Sequence, residues 1–138
     1  MSPKHIYGLL YVLILLPGAA SAERVDDPQI LAEGRQVFQQ HCAVCHGSKA
    51  QGLVEDWKKP GADGKYPPPP LNGTAHAWHH PLSQLSRVVK DGTARLGGNM
   101  PGWGNTLSDS QIENSLHYVI SLWPEEIFRG WEERGGYQ

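Results

Sequence analysis

The sequence predicts an all-α domain of short helices and long loops wrapped round one covalently bound group. Three observations carry that prediction. Apolar residues recur at helical spacing in separate windows, notably Ile30, Leu31, Val37 and Phe38, then Leu82, Leu85, Val88 and Val89, then Ile112, Leu116, Val119 and Ile120. The 138 residues include 16 glycines and 11 prolines, which break helices early and lengthen the connections. Finally, Cys42-Ala43-Val44-Cys45-His46 is the CxxCH pattern by which haem is fixed to a polypeptide. Two thiols one helical turn apart can add to the two vinyl groups of one haem, and the next residue offers an imidazole to the iron. Cys42 and Cys45 are the expected thioether anchors and His46 the proximal axial ligand.

Rival readings of the motif are a thioredoxin-like dithiol, half a zinc site or a structural disulfide. The first needs a βαβ context and the second more ligands at matching spacing. These are the only two cysteines, so a four-thiolate site is excluded, and a disulfide alone leaves the adjoining histidine unexplained.

Lys4 and His5 precede an apolar run from Ile6 to Leu16, followed by Pro17-Gly18-Ala19 and Ala20-Ser21-Ala22. This reads as a secretory signal peptide, residues 1–22, cleaved after Ala22. The run is short of the ~20 residues that span a bilayer; an uncleaved anchor is the lesser alternative. Export agrees with haem attachment and points to the bacterial periplasm. The remaining 116 residues from Glu23 to Gln138 suit one small domain, a cytochrome-sized unit over 23–123 with a C-terminal tail over 124–138. A chain this short buries little core of its own, and a held haem supplies apolar surface to fold around. Without Lys4 the balance is 11 Lys and Arg against 14 Asp and Glu, with no basic cluster, which argues against nucleic-acid binding.

Asp26-Asp27-Pro28 marks a helix start, and the first helix is expected from about Pro28 to His41, running into the haem motif. Gly34 inside it costs ~1 kcal/mol relative to Ala, which predicts close approach of another element. From Gly47 to Asn72 there is no periodicity, and Pro67-Pro68-Pro69-Pro70 closes a long loop. Pro81 in a first turn and Gly92 as C-cap bound a second helix. Gly97 to Gly104 form another loop, containing Met100. Ser108 with Gln111 forms a capping box and Leu107 with Ile112 a hydrophobic staple, so a third helix is expected from Asp109 to about Trp123, before Pro124. Tyr118 and Trp123 are candidates to pack at Gly34. Ile127, Phe128 and Trp131 lie at helical spacing in the tail, which reads as a short helix or as partly disordered.

These residues carry a resemblance. Gly34 and Phe38 ahead of CxxCH, then Pro70-Leu71-Asn72-Gly73, Asn99-Met100-Pro101, and a last helix with Tyr118 and Ser121-Leu122-Trp123 make the chain similar to class I monohaem cytochromes c, from about Pro28 to Trp123. The resemblance implies a small cytochrome c fold in which the first and last helices cross near Gly34. It also implies that the carbonyl of Pro70 accepts from the second nitrogen of His46. Met100 is the only methionine outside the leader, so a thioether ligand to the iron is Met100 or none; the bland alternative is a gap-filling core methionine.

With His46 and Met100 both on the iron, no position is open to substrate. The expected function is therefore electron transfer rather than catalysis, by one covalent haem c cycling between Fe(III) and Fe(II). The partners would be a reductase and an oxidase or dehydrogenase, met in solution or by transient contact with a membrane complex, by a monomer. The alternatives are a haem c subunit of a dehydrogenase complex, with the 124–138 tail as docking element, and a haem or copper enzyme or sensor using His76, His79 and His80.

Overall fold

Asp27 and Pro28 begin the first helix as their chemistry dictates. The Asp27 carboxylate accepts from the N–H groups of Gln29 at 2.8 Å and Ile30 at 3.2 Å, and Pro28 takes the first helical position, where no donor is needed. In the structure, a computed structural model that describes residues 23–138, this helix, α1, spans Pro28–His41. The expected leader, 1–22, lies outside the described residues. A single turn, α2 (Ala43–His46), follows directly. After the long loop and a 3₁₀ turn at Ala77–His79 come α3 (Leu82–Asp91), α4 (Asp109–Ser121) and α5 (Glu125–Glu133). No strand occurs among the described residues, and none of their helices is long and apolar enough to cross a membrane.

The crossing of α1 and α4 organises the domain. A Cβ built on Gly34 would overlap the Asn114 carbonyl, 2.5 Å from its carbon, and meet Tyr118 Cβ at 3.1 Å. Only glycine permits this approach, which brings the Phe38 and Tyr118 rings to 5.5 Å between centroids. The α4 capping box forms as expected: Ser108 Oγ accepts from Gln111 N–H at 3.2 Å and Gln111 Oε1 from Ser108 N–H at 2.9 Å. Leu107 and Ile112 then bury together with Val37 and Leu116.

Two expectations are corrected. α4 stops at Ser121 rather than Trp123, because Trp123 precedes Pro124, whose ring disfavours helical backbone in its neighbour. Trp123 does not pack at Gly34. Its Nε1–H donates to the Leu71 carbonyl at 2.8 Å and its ring meets Trp131 edge-on at 5.5 Å, so it secures the long loop. Of the two readings of the tail, the short helix forms, as α5, and it is packed: Phe128 and Trp131 are 1% and 2% exposed and share a core with Phe38, Val119 and Ile120. Trp131 Nε1–H donates to the His80 carbonyl at 2.8 Å, and the Gly136 carbonyl accepts from Leu82 N–H at 2.7 Å, satisfying a free donor at the start of α3. Arg24, before α1, stacks on Phe128 at 4.4 Å and donates to the Trp123 carbonyl at 2.9 Å.

Candidate haem site

Cys42 separates α1 from α2, and the single turn of α2 sets Cys42 and Cys45 one turn apart. Both are free thiols, Cys45 exposed and Cys42 half-buried. Burial, and then the neighbouring Cys45, push the Cys42 thiol up to about 11. The surroundings do not suit zinc: among the described residues no three His, Cys, Asp or Glu side chains group to hold a metal ion.

His46 is 7% exposed and its Nδ1–H donates to a proline carbonyl at 2.8 Å. The acceptor is Pro69, not the expected Pro70. Four consecutive prolines offer several carbonyls, and the register is set elsewhere. The Ala50 carbonyl accepts from Leu71 N–H at 2.7 Å and Asn72 N–H at 3.2 Å, which anchors the chain just beyond the prolines. Pro70 is buried against Gly52, which holds a positive φ and where a built Cβ would come within 3.2 Å of the ring. Ala50 itself holds φ at 55°, a conformation costing about 1–2 kcal/mol outside glycine. Desolvation lowers the His46 pKa, and the Pro69 carbonyl partly opposes it. The imidazole is thus neutral near pH 7, with its proton held on Nδ1 and its Nε2 lone pair available to a metal.

Met100 is half-buried in the loop between α3 and α4. That loop rests backbone-on-backbone against the end of α3. Trp103 N–H donates to the Val89 carbonyl at 2.9 Å and Gly104 N–H to that of Lys90 at 3.1 Å, covering carbonyls the helix end leaves free. A Cβ on Gly92 would come within 2.6 Å of the Met100 carbonyl oxygen. Asn99 Nδ2–H donates to Asp63 at 3.1 Å and ties this loop to the long one. Trp103 borders the Val37–Leu116 cluster and takes the edge of His41 at 5.0 Å.

The chain's apolar surface fits a large flat group. α3 is strongly amphipathic, yet none of its side chains is fully buried by the polypeptide. Leu82, Leu85 and Val89 touch the core clusters, whereas Val88 borders a cavity of about 360 Å³ shared with Arg87, Arg95 and Leu96. Val44, Leu53, Tyr66 and Leu96 are 75%, 62%, 59% and 78% exposed. Exposed apolar side chains of this size, with an amphipathic helix the chain leaves incompletely covered, suit a haem, which offers apolar surface for them to contact.

The histidine cluster is divided. His76 stacks on Trp57 at 5.3 Å and His79 on Trp78 at 4.0 Å, while His80 reaches only the edge of His76, 6.0 Å between centroids. Each of the first two rings has its own aromatic partner, so the three do not converge on one ion. His117 is buried on α4, and His41 packs on Trp103, as packing residues. Sequence reasoning passed over Pro69 because nothing local distinguishes it from Pro70. It also passed over Thr93, the residue hydrogen-bonded to Met100, although a hydroxyl just after a glycine helix cap is a turn signal.

A family model described as cytochrome c oxidase, cbb3-type, subunit III matches residues 29–119, well over half of the chain. The cbb3-type cytochrome c oxidase subunit CcoP of Azospirillum sp. (strain B510) is 35% identical over 112 residues, covering 81% of this chain and 33% of that protein. The thiosulfate dehydrogenase of Stutzerimonas stutzeri (strain A1501) is 34% identical over 114 residues, covering 77% and 32%. Cytochrome c6 of Cladophora glomerata is 32% identical over 94 residues, covering 67% of this chain and 89% of that protein. The chain therefore spans about a third of the length of the first two and most of the length of the third. No solved structure matches significantly. An all-α domain built round a CxxCH turn, with this match across its helices, belongs to the family described as cytochrome c oxidase, cbb3-type, subunit III, and is a c-type cytochrome working by haem-based electron transfer.

Proposed function

We propose that the chain carries a single haem c, attached through Cys42 and Cys45 with His46 and Met100 as axial ligands, and that it relays electrons without chemistry of its own. When bound, such a group supplies reversible one-electron exchange at its iron. The observation that carries the reading is His46 itself: a buried, neutral imidazole whose Nδ1–H is held by the Pro69 carbonyl, leaving Nε2 for the iron. Pro69 orients the ring and increases its basicity. The α3 and α4 loop presents Met100, whose thioether favours reduced iron. Arg87 and Arg95 are cationic groups on the cavity wall, suited to the carboxylates of a haem. One CxxCH motif in the sequence supports one haem.

The partners are redox proteins at a membrane complex. Relatives named as an oxidase subunit and as a thiosulfate dehydrogenase support an oxidase or a dehydrogenase in that role. The periplasm is the site of action, after export by residues 1–22, and the carrier works as a monomer. The test is the optical spectrum of the ferric holoprotein, with and without Met100→Ala, together with the intact mass. A mass of chain plus one haem, and a weak red sulfur-to-iron band abolished by the substitution, are expected. Absence of that band from the unmodified protein overturns Met100 as ligand.

A further inference from the structure

The loop that presents Met100 closes on one residue. Thr93 opens it immediately after the Gly92 cap of α3, and each of its polar groups turns inward. Thr93 N–H donates to the Met100 carbonyl at 2.9 Å, and Thr93 Oγ1 accepts from Met100 N–H at 3.0 Å. The Thr93 carbonyl accepts from Leu96 N–H and Gly98 N–H, both at 2.9 Å, which folds the intervening residues into a 3₁₀ turn, Ala94–Leu96. Gly98 holds no positive φ, yet a Cβ there would come within 2.8 Å of Thr93 Cβ, so its missing side chain makes room for the threonine. Beyond Met100, the bonds of Trp103 and Gly104 to α3 hold the other arm.

We infer that Thr93 is a positioning residue for Met100: its hydroxyl and amide clamp the Met100 backbone so that the thioether is held at the iron before and after each electron passes. This rests on the reading of Met100 as an axial ligand. The physical need is plain. A neutral thioether competes poorly with stronger donors for ferric iron, and its hold depends on how seldom the loop opens. The amide rung belongs to the main chain, but the hydroxyl rung belongs to this side chain alone. A hydrogen bond present in the closed loop and lost in the open one shifts that equilibrium by about 3- to 10-fold.

The test uses ferric holoprotein and imidazole as the competing ligand. Thr93→Val keeps the branched shape and deletes the acceptor for Met100 N–H. It should bind imidazole about 3- to 10-fold more tightly and lose the red sulfur-to-iron band at a lower temperature, with unchanged helical circular dichroism. Thr93→Ser, which keeps the hydroxyl, should restore both. Should Thr93→Val fail to load haem, Gly98→Ala, which displaces the Thr93 side chain, should tighten imidazole binding in the same way. If Met100→Ala removes the band but Thr93→Val and Gly98→Ala bind imidazole as the unmodified protein does, the clamp is wrong and the ligand assignment stands. If Met100→Ala alters neither band nor imidazole affinity, the ligand assignment fails and the clamp with it.

Discussion

Replacing Gly34 with Ala tests the helix crossing at its tightest point. The added Cβ would lie 2.5 Å from the Asn114 carbonyl carbon, where ordinary contact begins near 3.4 Å, so α1 and α4 must part by at least about 0.9 Å. The obstacle is backbone in the middle of a helix, not the end of a flexible side chain, and it cannot step aside alone. A gap of ~0.5–1 Å forfeits a quarter to a half of a dispersion contact, and contacts along the crossing, including Phe38 on Tyr118, share the loss. Overpacking at a rigid site costs about 3–4 kcal/mol, beyond the upper end of the usual range; alanine's better helix propensity returns ~1 kcal/mol. The expected net loss is about 2–3 kcal/mol, a large part of the ~5–15 kcal/mol typical of a domain.

The assay is guanidinium unfolding of ferric holoprotein followed by helical circular dichroism, with the midpoint shifting and the slope preserved. Gly130→Ala in α5 is the matched control. Its nearest neighbour is the flexible Arg134 guanidinium at 3.3 Å, so propensity dominates and the variant should be stabilised by up to ~1 kcal/mol. If Gly34→Ala were neutral, or stabilised like Gly130→Ala, the backbone contact between α1 and α4 would be refuted.

Trp131→Ala should cost about 3–5 kcal/mol in the same unfolding assay, since it empties a fully buried site and leaves the His80 carbonyl without its donor; a loss below ~1 kcal/mol would refute the place of α5 in the shared core. Asp63 has its pKa held below the ordinary 3.8, first by the Lys65 N–H and then by Asn99. Its folded-state pKa being lower than its unfolded one, its contribution is present above about pH 4 and lost as pH falls through and below that value. Asp63→Asn should therefore lower stability near pH 7, where the ionised carboxylate contributes, and flatten stability against pH in that acid range, the difference from the unmodified protein vanishing at its lower end. Preventing haem attachment with the paired substitutions Cys42→Ala and Cys45→Ala should loosen α3, whose side chains the polypeptide alone does not fully bury; hydrogen exchange should speed up in Leu82–Asp91 well before it does so in the α1–α4 pair.

Local chemistry is legible wherever a residue acts on its own neighbours. Asp27, Pro28, Ser108, Gln111 and Gly92 bound their helices through hydrogen bonds or backbone angles reaching no more than a few residues, and the sequence displays those spacings directly. CxxCH is equally local, because one helical turn suffices to set two thiols and an imidazole. Gly34 announced a close approach through its cost inside a helix, though not the partner. α5 was harder to read, because its sparse apolar residues gain their worth only from Phe38, Ile120 and Arg24, which are distant in the chain.

By itself the sequence determined the helices, the covalent attachment motif and the resemblance to cytochromes c, all of which depend on short-range spacing. Only the tertiary structure decided which proline carbonyl meets His46, that Trp123 secures the long loop rather than the Gly34 crossing, that three neighbouring histidines do not converge, and that Thr93 closes on Met100. In each case several chemically equivalent groups were in reach. The choice fell to backbone register set by hydrogen bonds such as those from Leu71 and Asn72 to Ala50, or to packing between elements remote in sequence.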